Sequence, residues 1–117
     1  MEKKKRKPPC YLRMHRRRWG LSTKQLAPLL GLRSAPHLSR IENGQRPPTV
    51  RLALACQVVF GVAPAEMFPN VFVPVEDRTM RNIAHLHLAL EHSTSLAGIR
   101  KRELCEEAVK RAKPEQA

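Results

Sequence analysis

Aromatic residues are almost missing from this sequence: one Trp, one Tyr and three Phe make up 4% of its 117 residues. The core must therefore come from Leu, Val, Ile and Ala, which favours helices. Acidic residues are scarce as well, with 10 Asp and Glu against 22 Lys and Arg and a net charge of +12. Cysteine is sparse and scattered. Cys10, Cys56 and Cys105 form no CxxC pair and leave an odd count, which argues against zinc and a disulfide framework and fits a reducing compartment. The longest uncharged apolar stretch, near Leu52 to Ala65, is too short and interrupted to span a bilayer. No signal peptide is expected, because Pro8, Pro9 and Cys10 lead the basic start straight into more arginines. Catalytic signatures are missing too. No nucleophile–base pair, paired acids or phosphate loop stands out, so no enzyme is expected. His85, His87 and His92 with Cys105 lack metal spacing, and no metal or cofactor is expected.

What is present suffices for one small domain. A hydrophobic content of 42% is too high for a wholly disordered chain, and this length can bury a modest core without a staple. The charge is uneven. Residues 1–20 hold nine Lys and Arg against Glu2 alone; residues 21–68 hold five against Glu42 and Glu66; residues 69–117 hold eight against seven acids. A basic front with a nearly balanced back points to a polyanion, nucleic acid first and an anionic membrane surface second. For Lys3 to Lys7 alone, a solvated tail is the bland alternative.

The pattern along the chain is helical throughout. Residues 1–9, charged and then closed by Pro8-Pro9, are expected to be a disordered basic arm. A short helix runs from Cys10 to Trp19 and stops at Gly20. Ser22-Thr23-Lys24-Gln25 reads as a capping box opening a second helix that ends at Gly31, with Pro28 an internal conflict. Ser34 can cap a third helix, with Ala35, Pro36 and His37 in its first turn, ending at Asn43-Gly44. Thr49 caps a fourth from Val50 to Phe60, closed by Gly61, and Pro64 opens a fifth. Residues 70–75 read as an extended linker. Two further helical stretches follow, about 77–92 and 99–113, the second with a stripe of Leu104, Cys105, Ala108, Val109 and Ala112. Leu26, Leu30, Leu38, Ile41, Leu54 and Phe60 are expected in the core, and Trp19 on the surface.

Between Gly20 and Pro48, two short helices with a tight turn form a helix-turn-helix outline. The wording carries more than the spacing does. GLSTKQLAPLLG, LSRIENGQRPPT and FGVAPAEMF closely resemble the Cro/C1-type (XRE) helix-turn-helix family over residues 11–68. YLRMHRRRWGLS with LALACQVVFGV is similar to a bacterial or mobile-element branch of transcriptional regulators. The sequence departs from the family at three places: an extra turn residue at Leu32-Arg33, Thr23 in place of a frequent glutamine, and Ala35-Pro36 where polar base-contacting residues are common.

The resemblance implies an all-α, five-helix lambda-repressor-like DNA-binding domain over residues 10–68, with a C-terminal helical extension over 69–117. It implies a sequence-specific DNA-binding regulator, expected to repress, whose third helix enters the major groove. Arg40 is the first candidate to read a base edge, with His37 and Ser39 beside it; a phosphate contact is the alternative for Arg40 and His37. Ser22, Thr23, Lys24, Arg33, Ser34, Asn43, Gln45 and Arg46 are candidates for phosphate. Arg16 and Glu42 are expected to meet beneath the third helix as a partly buried ion pair. The implied partners are double-stranded DNA and a second copy, paired partly through residues 77–113, in a bacterial cytoplasm and associated with the nucleoid. The alternative is an antitoxin or phage-type control protein whose tail holds a protein partner; charge-driven nonspecific nucleic-acid binding is a third reading.

Overall fold

A computed structural model of the chain describes residues 8–112. The disorder expected for the basic arm falls mostly on residues 1–7, outside the described ones. Seven helices are present among the described residues, with no strand: α1 Leu12–Arg18, α2 Thr23–Leu29, α3 Ala35–Glu42, α4 Val50–Phe60, α5 Pro64–Met67, α6 Pro69–Ala89 and α7 Leu96–Ala112. The all-α expectation holds. The chain divides into two compact units between Val73 and Pro74.

In the first unit the helix ends are set by local chemistry. Ser22 and Gln25 form the reciprocal capping box: Ser22 Oγ accepts the Gln25 amide at 3.1 Å, and Gln25 Oε1 accepts the Ser22 amide at 2.9 Å. Two of the donors that a helix start leaves orphaned are thereby satisfied. Thr49 Oγ1 caps α4 through the Leu52 amide at 3.1 Å. The turn after α2 needs a left-handed residue, and Gly31 supplies it at φ +74°. The Gly31 amide then donates to the Pro28 carbonyl at 3.0 Å and the Leu32 amide to the Ala27 carbonyl at 2.8 Å, the paired bonds that close a helix sharply.

Pro28 ceases to be a conflict here. It removes a bond to the Lys24 carbonyl, but both residues are exposed, near the end of a short helix, where water can serve that oxygen.

These helices enclose Leu12, Leu26, Ala27, Leu30, Leu38, Ile41, Leu52, Cys56, Met67 and Phe68. The Tyr11 amide donates to the Met67 carbonyl at 3.0 Å, tying the start of α1 to the end of α5. Leu26, Leu30, Leu38 and Ile41 are buried as expected, Phe60 packs partly buried against the core, and Trp19 is exposed. Leu54 is a correction: it is 51% exposed, while Leu52 and Cys56 face inward. Residues 52 and 56 share one helix face, and residue 54 lies on the opposite side.

Residues 70–75 are a second correction. They are helical, inside α6. Pro69 opens the helix, where no amide partner is required, and the Val71 and Phe72 amides both donate to the Phe68 carbonyl, at 3.1 and 3.0 Å. Val71 packs against the core and anchors this start. Pro74 costs one bond to the Asn70 carbonyl, and both residues are exposed.

In the second unit, α7 starts at Leu96, three residues earlier than expected, because Ser95 Oγ caps it through the Gly98 amide at 3.0 Å. Arg102 Nη1 donates to the Leu90 carbonyl at 2.8 Å and the Ser93 carbonyl at 3.0 Å, satisfying the end of α6 and its turn. A side chain at Gly98 would stand 1.9 Å from Ser93 Oγ, so the turn folds tightly over it. Of the expected α7 stripe only Cys105 is buried; Leu104 is 63% exposed.

Candidate nucleic-acid interface

α3 is held from behind and open in front. Leu38, Ile41 and Glu42 are buried, whereas Pro36, Arg40 and Asn43 are exposed. At 100° per residue, Pro36 and Arg40 stand nearly above one another on the outward face, with Ser39 and His37 on its two flanks, both half-buried. The structure thus places the three base-reading candidates on the outer half of one helix, Arg40 at its centre. Pro36 beside it offers only apolar contact and no donor.

The helix starts at Ser34, whose Oγ accepts the His37 amide at 3.4 Å. Its other end is fixed by Gly44, at φ +75°. The Gly44 amide reaches the Ile41 carbonyl at 3.1 Å, and the Gln45 and Arg46 amides reach the Arg40 carbonyl at 2.9 and 3.2 Å. Gln45 and Arg46 are therefore placed by the backbone that positions Arg40, with their side chains exposed. Arg33 and Ser34 precede α3 and are exposed; Ser22 and Lys24 are exposed at the start of α2, with Thr23 half-buried between them. The phosphate candidates thus fall in two groups, one at the start of α2 and one on the two loops that bracket α3.

The support behind α3 is electrostatic as well as apolar. Glu42 is 2% exposed, the one buried charged residue among those described. Arg16 grips it with Nε to Oε2 at 2.7 Å and Nη2 to Oε1 at 3.1 Å. The third nitrogen, Nη1, donates to the Leu21 carbonyl at 3.0 Å, so one guanidinium ties α1, the loop before α2 and the end of α3 together. The bond to Glu42 raises the Arg16 pKa above its ordinary value against the opposing effect of burial. The expected ion pair is present, and Glu42, enclosed by arginine, is not available to DNA.

Sequence reading missed a second arginine in this cluster. Arg13 places Nε 3.4 Å from Glu42 Oε1 and donates through Nη2 to the Asn43 side-chain oxygen. Asn43, expected to touch phosphate, is therefore already engaged by α1. Arg13 and Arg16, three residues apart, lie on one helix face, but nothing local in the sequence points to Glu42 and Asn43, 29 and 30 residues away. Cys10 was also missed as a core residue: it is 2% exposed, with Sγ 3.7 Å from the Ile41 carbonyl. Burial pushes the Cys10 thiol up, and the Cys56 thiol up to about 12, so both are neutral packing groups rather than nucleophiles.

Among the described residues no helix is long and apolar enough to cross a membrane. A family model described as a helix-turn-helix domain matches residues 10–67. No curated protein and no solved structure matches the chain.

Proposed function

Residues 10–67 belong to the helix-turn-helix domain family, and on that premise we propose that the protein is a sequence-specific DNA-binding transcriptional regulator of the Cro/C1 kind. α3 enters the major groove, Arg40 reads a base edge with His37 and Ser39 beside it, and the residues around the helix starts and loops hold the backbone. The observation that carries this is α3 itself. One face is locked by Leu38, Ile41 and the Arg16–Glu42 pair, while the other presents Arg40 to solvent between the exposed cations Arg33 and Arg46. A helix fixed from behind can dock without reorganising, and the surrounding positive charge draws a polyanion. Occupying a promoter in this way represses it. No catalytic step or cofactor enters the reading.

The decisive experiment is enrichment of random duplexes on the full-length protein, followed by sequencing. A recurrent motif, with inverted half-sites if a dimer binds, supports the reading. Flat recovery of all sequences, or preference for RNA, overturns it in favour of charge-driven binding.

The protein is further proposed to act as a homodimer in a bacterial cytoplasm, associated with the nucleoid through DNA. Its two-helix tail favours a role in association: no residue of α6 is buried, and Leu86, Leu88, Leu104 and Val109 are exposed. The second reading, an antitoxin or phage-type control protein, rests on the same tail. Ile83, Ala84, His87 and Leu88 of α6 face Glu106, Val109 and Lys110 of α7 across an open groove that a partner's helix could fill. Co-purification of a stoichiometric small protein, released when Leu88 and Val109 are replaced, would favour that reading.

A further inference from the structure

We propose that the face of α1 carrying Arg13 and Arg17 is an additional DNA-backbone site, with Arg13 held ready as a phosphate ligand beside the end of α3. This rests on the DNA-binding reading above and extends the interface to a helix that the reading leaves out.

Arg13 is pinned but not neutralised. One edge of its guanidinium is used by Glu42 Oε1 at 3.4 Å and by the Asn43 side chain. Among the described residues its Nη1 end has no partner, and the side chain is 40% exposed. The single carboxylate in reach is already taken by Arg16 at 2.7 and 3.1 Å. Two guanidinium groups thus share one buried acid, leaving one positive charge in excess. Its geometry is fixed before any ligand arrives, so little side-chain freedom is lost on binding. A phosphate oxygen is the acceptor that a free guanidinium end matches best.

The neighbours fit the same ligand. Arg17 lies one helical turn further on, about 6 Å along the axis and on the same face. It is exposed, and with Pro8, Pro9, Cys10 and Arg13 it lines a shallow notch whose floor reaches Glu42. The other wall of the notch, Pro9, packs against the loop after α3: a Cβ at Gly44 would lie 2.7 Å from the Pro9 Cβ. The root of the basic arm, Arg13 and Arg17 of α1 and the Gly44 turn after α3 therefore meet at one end of α3. A DNA strand passing that end would encounter them together. Arg18, about 140° round α1 from Arg13, is outside this face.

The test uses the full chain and a random-sequence duplex, so that backbone binding is read apart from sequence preference. Affinity is measured across a salt series for wild type, Arg13→Gln, Arg13→Lys, Arg17→Gln and Arg18→Gln, with the melting temperature of each. Arg13→Gln and Arg17→Gln are each expected to reduce the slope of log affinity against log salt by about 0.9, the loss of one phosphate. Arg13→Lys keeps the slope because it keeps the charge, and Arg18→Gln leaves it near wild type. Arg17 makes no ion pair with Glu42, so Arg17→Gln decides the matter if Arg13→Gln fails to fold. Wild-type slopes in both glutamine variants, or an equal fall in Arg18→Gln, would overturn the proposal while leaving DNA binding intact. A wild-type protein that binds no duplex would instead remove the DNA-binding reading itself.

Discussion

The two units of this chain are both helical, yet they are made on opposite principles. From α1 to α5 the helices are short, the first four closed by caps or left-handed glycines, and they surround a core that runs from Cys10 to Phe68. α6, which starts at Pro69, and α7 are long, and among the described residues after Pro74 only Gly98 and Cys105 are buried, with Leu86, Leu88, Leu96, Leu104 and Val109 left exposed. The charge changes with the architecture: the acids that are rare in the front nearly balance the bases in the tail. A pair of helices buries a smaller share of its apolar surface than a larger domain does. The front is held by packing and one buried ion pair, whereas the tail leaves large apolar side chains exposed.

The largest effect is expected from removing the ion pair. Arg16→Ala leaves Glu42, 2% exposed, with only the longer Arg13 contact. Stranding a buried charge costs about 3–5 kcal/mol. At roughly 4–8 °C per kcal/mol for a domain this small, melting should fall by more than about 10 °C. Arg17→Ala, one residue along and outside the pair, should leave melting near wild type. Circular dichroism on the two variants checks this. Equal melting of Arg16→Ala and wild type, with DNA binding lost, would make Arg16 a contact residue instead.

A nearly equal effect is expected from Leu52→Ala, because Leu52 is 2% exposed in the packed side of α4. Truncating a buried leucine costs about 2–5 kcal/mol. Leu54→Ala, two residues on and 51% exposed, should cost less than about 1 kcal/mol. Urea titration of both variants separates them through their midpoints. The reverse ranking would put the core of the front on the other face of α4.

This pair also marks the limit of sequence reading. Ser22 with Gln25, Ser34, Thr49 and the glycines at 20, 31, 44 and 61 are local signals, and they placed the first four helices and their ends. α4 offered no such guide to its inward face, since Val50, Leu52, Leu54, Cys56 and Val58 make it apolar all round. The helix through Pro74 was hidden because a proline normally argues against one; the anchor that overrides it, Val71 on the core, is a tertiary contact. The Arg16–Glu42 pair was legible by resemblance, but Arg13 was not. Its contacts with Glu42 and Asn43 span 29 and 30 residues, and no local pattern announces them.

Within the front, exposed residues should divide by role rather than by stability. Arg40→Ala should cost about 1–3 kcal/mol of discrimination at one position of each half-site, since an arginine fork matches guanine O6 and N7. Arg46→Ala should weaken all sequences alike. Competition binding against single-base variants of the enriched site distinguishes the two. If Arg40→Ala behaves as Arg46→Ala does, specificity comes from His37, Ser39 or DNA shape.

The smallest expected change in stability lies in the tail, and it is the most informative about it. Leu104 is 63% exposed, so Leu104→Ser should alter the unfolding free energy by no more than about 0.5 kcal/mol. A residue that costs nothing to replace in the folded chain can still matter if a second copy covers it. Leu104→Ser and a chain ended at Val73 should then both fall to the mass of their own monomer in solution, measured by light scattering, while the front melts as before. A lone helix-turn-helix reaches only one half-site, and two held about 34 Å apart reach both. Loss of the dimer should therefore weaken binding to a paired site far more than binding to a single half-site. A protein that stays dimeric after both alterations would move the interface onto the front unit, where the exposed Val50, Leu54 and Val58 recur at every fourth position of α4.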